Sequence, residues 1–341
     1  MVKTRVFDLE NEYEEALEAA VGEIINGGLV AFPTETVYGI GADAMNETAV
    51  RKIFTAKGRP GDNPLIVHIA RIEQAEKLAC MTPLAKKLTE AFWPGPFTAV
   101  MKRRAGVPDA VTGGLDTVGV RLPSNKVIRD LVERSGKYIA APSANLSGKP
   151  SPTRAAHVLE DFSGVLPVIL DGGDCAFGVE STVCDCTGDV PVILRPGGVT
   201  KEMIENAWGR AEVDKAVLEG MENGAAAASP GMKYKHYSPK AQVYIADGDD
   251  RNAIAKKVKT MYDNSNNAVI LCERNRQPVY GGRNTIDMGE DSAGVARSLF
   301  GALRDADEMG YETVIFEAVS LDGMGLAVMN RALRAAAFKK I

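Results

Sequence analysis

Two cationic side chains stand in a loop that glycine and proline shape. Lys57 and Arg59 belong to residues 57–64, which contain two glycines and two prolines. This composition excludes a helix and predicts a loop of defined shape, followed by a strand at 65–69. Backbone N–H groups and the two cations could converge on an anion there. The alternative is an exposed connection whose charges only confer solubility, and this loop by itself favours the alternative.

Further anion-binding candidates stand where predicted strands end. Arg121 ends a strand that begins at Thr117, and Arg195 ends a strand that begins at residue 192. Arginines in such positions usually face a ligand or a carboxylate. A third strand, 138–141, opens into a loop rich in serine that leads to a helix predicted to be capped by Ser151. That helix N-terminus would attract phosphate, although a plain serine turn explains the loop equally well.

The candidate residues share cationic, hydroxyl or amide side chains in loops or at strand ends. They are Thr34, Thr36, Lys57, Arg59, Asn63, Arg121, Ser143, Asn145, Ser181 and Arg195. No G-x-S-x-G elbow, phosphate-binding G-x-x-x-x-G-K-[ST] loop or recognisable carboxylate pair accompanies them. Cations and hydroxyls without a strong base favour the positioning and charge stabilisation of phosphates over hydrolysis by a triad.

Composition restricts the class of protein. The 341 residues are enough for two domains, and no apolar run approaches the roughly 20 residues that span a bilayer. The N-terminus lacks the apolar core of a signal peptide, so a cytoplasmic location with no membrane association is expected. Five cysteines form no even framework, and three scattered histidines form no metal-ligand pair. We therefore expect no metal ion held by protein ligands.

The charge distribution argues against a basic nucleic-acid module. Residues 1–208 carry 22 Lys and Arg against 27 Asp and Glu, and the remainder carries 18 of each. A local cationic pocket remains compatible with this balance.

The pattern of predicted elements divides the chain into three segments. Strands and helices alternate through residues 1–208, and again through 241–341, where they predict a small parallel, doubly wound sheet. Residues 209–240 lose hydrophobic periodicity, which is typical of a linker. Because the second half of this linker is dense in aromatic and cationic residues, we interpret it as a strap lying over another part of the molecule.

Seven ordered motifs and the strap resemble the long, two-domain form of the threonylcarbamoyl-AMP synthases, whose N-terminal domain is called YrdC-like. The motifs lie at 33–41, 57–65, 94–98, 120–123, 142–145, 181–183 and 194–197, with the strap motif at 229–239. The resemblance covers nearly the whole chain. It implies an N-terminal twisted mixed sheet with helices and a smaller C-terminal Rossmann-like α/β domain.

The resemblance also implies an activity. L-threonine, bicarbonate or CO2, and ATP would give threonylcarbamoyl-AMP and pyrophosphate, and separate transferase proteins would then modify the adenosine beside a tRNA anticodon. Magnesium would arrive on the triphosphate, held mainly by phosphate oxygens and water. A weak contact with RNA is a further implied partner interaction.

Residue roles follow from the match to the family's motifs. Lys57, Arg59, Ser143 and Arg195 would be catalytic. The ATP-binding residues would be Lys57, Arg59, Asn63, Thr117, Ser143, Asn145, Ser151 and Arg195. The L-threonine-binding residues would be Thr34, Thr36, His68, Arg121, Ala141, Ser181 and Tyr234, with Arg121 the natural partner of the carboxylate.

Two other functions remain open from the sequence. The first is an RNA-binding protein of the same fold without turnover, which the acidic balance of residues 1–208 disfavours. The second is a carbamoyl-transfer enzyme related to hydrogenase maturation proteins. Such proteins carry additional acylphosphatase-like and zinc-finger segments, and the cysteine spacing here supplies neither.

Overall fold

A computed structural model describes residues 2–219, 237–248 and 250–341 and confirms the predicted α/β class, with one large mixed sheet and one small parallel sheet. The strands of the large sheet are β1 (Arg5–Asp8), β2 (Val30–Phe32), β3 (Gly39–Asp43), β4 (Ile66–His68), β5 (Phe97–Lys102), β6 (Thr117–Arg121), β7 (Ile139–Ala141), β8 (Val168–Asp171), β9 (Thr182–Asp185), β10 (Val192–Arg195) and β11 (Glu212–Val213). Its helices are α1 (Tyr13–Ile25), α2 (Glu47–Lys57), α3 (Ala75–Leu78), α4 (Pro83–Phe92), α5 (Asp109–Thr112), α6 (Lys126–Ser135), α7 (Ala155–Phe162), α8 (Lys201–Trp208) and α9 (Ala216–Glu219).

The large sheet brings segments that are distant in sequence close together at the ends of its strands. Its strand order is β1-β8-β2-β3-β7-β4-β6-β5-β9-β10-β11. Strands β4 and β6 run parallel with His68 opposite Arg121, while β7 runs antiparallel to β4. Strand β9 pairs with β10 in antiparallel fashion, and the register shifts between Ile193 and Arg195. The ends of β4, β6 and β10 therefore carry the histidine and both arginines singled out by sequence.

The second domain is built on a sheet of four parallel strands in the order β12-β15-β13-β14. Its elements are β12 (Gln242–Ala246), α10 (Arg251–Asp263), β13 (Ala268–Cys272), β14 (Thr285–Asp287), α11 (Ser292–Glu308), β15 (Thr313–Glu317) and α12 (Gly325–Ala335). Helix α10 packs on one face of the sheet, and the apolar residues of α11 and α12 share a core with Val37 and Val179 of the first domain. No helix in the described part of the chain has the length and apolar content needed to cross a bilayer.

Helix boundaries correct two local predictions. Helix α2 continues through Lys57 and ends at Gly58, which adopts φ +60° in the left-handed region that glycine favours, so Lys57 is the last helical residue rather than a loop residue. Helix α7 begins at Ala155 and its N-cap is Arg154, so the prediction that Ser151 caps it is wrong. The two prolines flanking Ser151 restrict the backbone there, and the helix begins after them.

The segment predicted to be a linker contains structure in its first part. Strand β11 adds to the large sheet in parallel with β10, and α9 packs near α12. These elements are too short to produce a periodic hydrophobic pattern. Strand β14 in the second domain was not predicted either, because Ile286 is its only apolar residue. Residues 220–236, which include Tyr234 and most of the predicted strap, lie outside the described residues.

Candidate active site

An open cleft with about 700 Å³ of free space gathers most of the predicted site residues. Those that line it are Thr34, Thr36, Lys57, Arg59, His68, Arg121, Ala141, Ser143, Asn145, Ser181 and Arg195. Their backbone comes from segments that span residues 34–195, and the sheet order described above brings these segments together. Four of the lining residues are lysine or arginine, so the cleft suits an anionic ligand.

Lys57 holds the serine-rich loop in place. Its Nζ donates hydrogen bonds to the backbone carbonyl oxygens of Ser143 and Asn145, each at 2.5 Å, and its side chain is buried. Burial lowers the pKa of Lys57 well below its usual value, and the neighbouring charge of Arg59 lowers it further. The amine therefore positions the residue 143–145 backbone at the edge of the cleft.

The side chains of this loop are also ordered by internal hydrogen bonds. Ser143 Oγ donates to Asn145 Oδ1 at 2.6 Å, and Asn145 Nδ2 donates to the carbonyl oxygens of Leu146 and Lys149. Asn145 thus fixes the course of its own loop. The hydroxyl oxygen of Ser143 retains acceptor capacity toward the cleft.

Arg121 forms the buried centre of a second polar group. Its guanidinium pairs with Glu35 at 2.8 Å and donates to Thr36 Oγ1 at 3.0 Å. Burial by itself would raise the pKa of Glu35, but the charge and hydrogen bond of Arg121 outweigh that effect and lower it. Glu35 is therefore an ionised carboxylate, and its ion pair orients the guanidinium of Arg121.

The loop at residues 34–37 is closed by threonine hydroxyls. Thr34 Oγ1 donates to the carbonyl oxygen of Val37 at 2.6 Å and accepts from the backbone N–H groups of Thr36 and Val37. The two threonine hydroxyl oxygens lie 2.8 Å apart. This local closure presents Thr36 to Arg121 and shapes the wall of the cleft beside His68.

His68 is a buried, neutral side chain on that wall. Its Nδ1 lies 3.4 Å from the carbonyl oxygen of Ile139, and its ring meets the edge of Phe32. Burial, with a smaller contribution from the charge of Arg121, lowers its pKa to about 3. The imidazole therefore acts as a hydrogen-bonding and packing group rather than as a cation at neutral pH.

Arg195 and Ser181 form another wall of the cleft. Arg195 donates through Nε to the Ser181 carbonyl oxygen and through a terminal nitrogen to Ser181 Oγ, both at 3.1 Å. Ser181 Oγ also lies 2.8 Å from Thr98 Oγ1. Burial lowers the pKa of Arg195 to about 10, which leaves it charged at neutral pH.

Three predicted residues do not line this cleft. Asn63 is completely buried, and its side-chain amide has no hydrogen-bond partner among the described residues. Thr117 begins β6, whose other end carries Arg121, so the two are separated by roughly 13 Å of extended backbone. Ser151 is buried and donates to Glu180 at 2.6 Å. The position of Tyr234 lies outside the described residues.

Sequence reasoning missed Glu180, the acidic residue of this wall. Its carboxylate accepts hydrogen bonds from Ser151 Oγ and from Arg331 Nε of α12, the latter at 2.8 Å. Burial would raise its pKa, but Arg331 and then Arg195 lower it to about 2. The glutamate immediately before Ser181 was a usable signal, but the partner that explains it lies 151 residues further along the chain.

Comparison with known proteins identifies the family. The family model described as "Telomere recombination" matches residues 23–197, and the one described as "Threonylcarbamoyl-AMP synthase, C-terminal domain" matches residues 199–337. The threonylcarbamoyl-AMP synthase of Pyrococcus abyssi is 46% identical, with 99% of each chain covered. The chain belongs to the threonylcarbamoyl-AMP synthase family. The synthase of Bacillus subtilis is also 46% identical, over 90% of this chain and 89% of its own.

A solved structure extends the likeness from sequence to fold within this family. The crystal structure of Pyrococcus abyssi Sua5 complexed with L-threonine superposes with a TM-score of 0.92 at 44% identity, with 99% of each chain covered. A putative threonylcarbamoyl-AMP synthase of Methanocaldococcus jannaschii matches only 57% of this chain but 91% of its own, at 36% identity. The resemblance found in the sequence motifs is thus confirmed, in its two-domain form.

Proposed function

We propose that the cleft makes L-threonylcarbamoyl-AMP and pyrophosphate from L-threonine, bicarbonate or CO2, and ATP. The observation that carries this proposal is the convergence of Lys57, Arg59, Arg121 and Arg195 on one cleft in a member of this family. Threonylcarbamoyl transferase proteins then use the adenylate to modify the adenosine beside a tRNA anticodon. The negative net charge of residues 1–208 disfavours the alternative of an RNA-binding protein without turnover.

The reaction needs charge stabilisation more than proton transfer. CO2 enters directly or forms from bicarbonate by loss of hydroxide. The amine of threonine adds to its carbon and releases a proton to that hydroxide or to solvent, which gives a carbamate. A carbamate oxygen then attacks the α-phosphorus of ATP, and the bond to the bridging oxygen breaks to release pyrophosphate. Negative charge spreads over the phosphate oxygens during the second step, and cations held in a buried setting stabilise it.

L-threonine belongs on the wall formed by Arg121 and its neighbours. Arg121 is buried and oriented by Glu35, which suits recognition of a carboxylate. The remaining contacts to L-threonine are assigned to Thr34, Thr36, His68, Ala141, Ser181 and Tyr234. A neutral His68 favours this use, because it offers a hydrogen bond without adding a charge beside Arg121.

ATP belongs on the wall formed by the serine loop and Arg195. Arg59, Ser143 and Arg195 act on the phosphates, and Lys57 supports them by holding the carbonyl oxygens of Ser143 and Asn145. Asn63, Thr117 and Ser151 remain assigned to ATP by family motif. The buried position of Asn63 outside the cleft lining adds no support to its assignment.

We assign magnesium to the nucleotide, which would carry the ion into the cleft. The described residues contain no group of three His, Cys, Asp or Glu side chains that could hold a metal ion. The carboxylates nearest the cleft, Glu35 and Glu180, are paired with Arg121 and Arg331. When bound, the ion would neutralise charge on the phosphate oxygens. We propose a cytoplasmic location, where the protein would meet tRNA and the transferases and could make a weak contact with RNA.

An omission assay tests this function. We expect pyrophosphate and the adenylate, followed by mass spectrometry, only when ATP, L-threonine and bicarbonate are all present. Lys57→Met should lower turnover at least about 100-fold, because two loop carbonyls lose their donor and the phosphates lose a supported contact. Lys52→Met, an exposed change on the same helix, should leave turnover within about twofold. Pyrophosphate release without L-threonine, or equal rates in both variants, would refute the assignment.

A further inference from the structure

Helix α12 of the second domain contributes a side chain that contacts the wall of the cleft. Arg331 of α12 is completely buried, and its Nε donates to Glu180 Oε2 at 2.8 Å. One terminal nitrogen donates to the carbonyl oxygen of Pro196 at 2.7 Å. Glu180 directly precedes Ser181, and Pro196 directly follows Arg195. A single guanidinium thus ties together the two backbone segments that carry this wall.

The same contact neutralises the charge of the Glu180 carboxylate in the wall. Glu180 is the carboxylate that lines the cleft, and Arg331 and Arg195 are the two cations whose charges lower its pKa. With Arg331 in place, the carboxylate has a partner that does not belong to the cleft. Without Arg331, Arg195 would be the remaining one of these two cations, and attraction to Glu180 would draw its guanidinium away from Ser181.

We propose that Arg331 is a positioning residue for the active site of the other domain. It neutralises Glu180 and anchors the chain beside Arg195, so that Arg195 and Ser181 keep the geometry that the substrates require. The sequence of residues 241–341 indicated no chemical role for this domain, and positioning of the active site by Arg331 gives it one. The inference rests on the function proposed above, because turnover is its readout.

A double-substitution cycle tests this role. Arg331→Met should lower kcat/KM for ATP at least tenfold, mainly through a higher KM, because Arg195 would be misplaced. Adding Glu180→Gln removes the uncompensated charge while keeping an acceptor for Ser151. The combined variant should therefore be at least fivefold more active than Arg331→Met alone. Arg297→Ala is the matched control, since this exposed arginine also bridges the domains, through the Ala176 carbonyl oxygen, and neither residue lines the cleft.

The outcomes separate positioning from simple clamping of two domains. If Arg331 only holds the two domains together, the activity lost in Arg331→Met follows the decrease in its melting temperature. Adding Glu180→Gln then restores none of that activity, and this result overturns the proposal. Activity of Arg331→Met within twofold of the unmodified protein also overturns it. If Arg331→Met does not fold, Arg331→Lys replaces it in the same cycle with the same criterion. A protein that makes no adenylate at all refutes the proposed function instead.

Discussion

Individual side chains of the cleft are held in place by burial and hydrogen bonds, and they do not form a conventional proton relay. Lys57, Arg121 and Arg195 are each buried and each bonded to fixed neighbours. His68 is kept neutral by the same burial. Such pre-ordered donors can stabilise charge that develops on a phosphate without reorganising at the moment of reaction.

The neutral state of His68 lowers the free energy of unfolding at low pH. Its pKa is about 3 in the folded state and about 6.5 in an unfolded chain, so between these values the unfolded state binds a proton that the folded state excludes. Stability therefore falls as the pH drops below 6.5. We expect His68→Gln to remove about 2 kcal/mol of the loss of unfolding free energy between pH 7 and pH 5, measured by urea titration.

His157 offers an internal comparison for this prediction. Burial also lowers its pKa, to about 4, and it lies away from the cleft, where its Nδ1 accepts from the Thr153 backbone N–H. His157→Gln should remove a similar part of the pH dependence without changing turnover. A pH dependence that His68→Gln leaves intact would mean that this imidazole is protonated in the folded protein.

At the scale of elements, the site is assembled where strands end and turn sharply. The turn after β10 brings Gly197 against the backbone that leads into β9. A Cβ on Gly197 would lie 2.4 Å from both the Glu180 carbonyl oxygen and the Thr182 nitrogen. Backbone atoms on both sides leave no room for a side chain, so only glycine permits this approach of the two strands.

Gly197→Ala should therefore displace Arg195 from Ser181. We expect at least a tenfold loss of turnover and a lower melting temperature, measured by pyrophosphate release and calorimetry. Gly188→Ala is the matched control, because that glycine lies in the connection between the same two strands and a Cβ there would meet nothing within 4 Å. Equal behaviour of the two variants would contradict a packing role for Gly197.

Sequence patterns predicted most elements but not their partners. Period-two and helical patterns located β5, β12, α8 and the strand-end arginines, because those elements are long enough to show a pattern. Strand β11 carries too few residues to show one, and β14 has a single apolar residue, Ile286. Ser151 looks like a helix cap by residue type, but its hydroxyl bonds Glu180 instead. Side-chain partners more than 100 residues apart leave no local signature, which is why the roles of Glu180 and Arg331 were missed.

At the scale of the whole molecule, buried arginines of the second domain fasten it to the first. Besides Arg331, Arg304 of α11 pairs with Asp161 at 2.9 Å and donates to the Pro150 carbonyl oxygen at 2.7 Å. Close approach elsewhere requires Gly178 (φ +72°), where a Cβ would lie 2.4 Å from the Arg297 Cα. The two domains therefore share one buried, charged and tightly packed interface.

Arg304→Met should weaken this interface strongly. Among the described residues it leaves the buried Asp161 with Lys149 alone as an ion partner, and removing one member of a buried ion pair costs about 3–5 kcal/mol. We expect urea unfolding to show a loss of at least about 2 kcal/mol. Arg297→Ala, at an exposed part of the same interface, should cost less than about 1 kcal/mol. Equal losses would mean that burial of Arg304 adds nothing to the strength of the interface.

The pairing of Glu180 with Arg331 restricts how such a chain can be shortened during evolution. A family member consisting of the first domain alone has no α12, and a glutamate before its active-site serine would present an unbalanced negative charge to the incoming triphosphate. We expect shorter members to carry a neutral residue at that position, or a basic residue of their own nearby. Gain or loss of the second domain should therefore coincide with a change at a single position of the first.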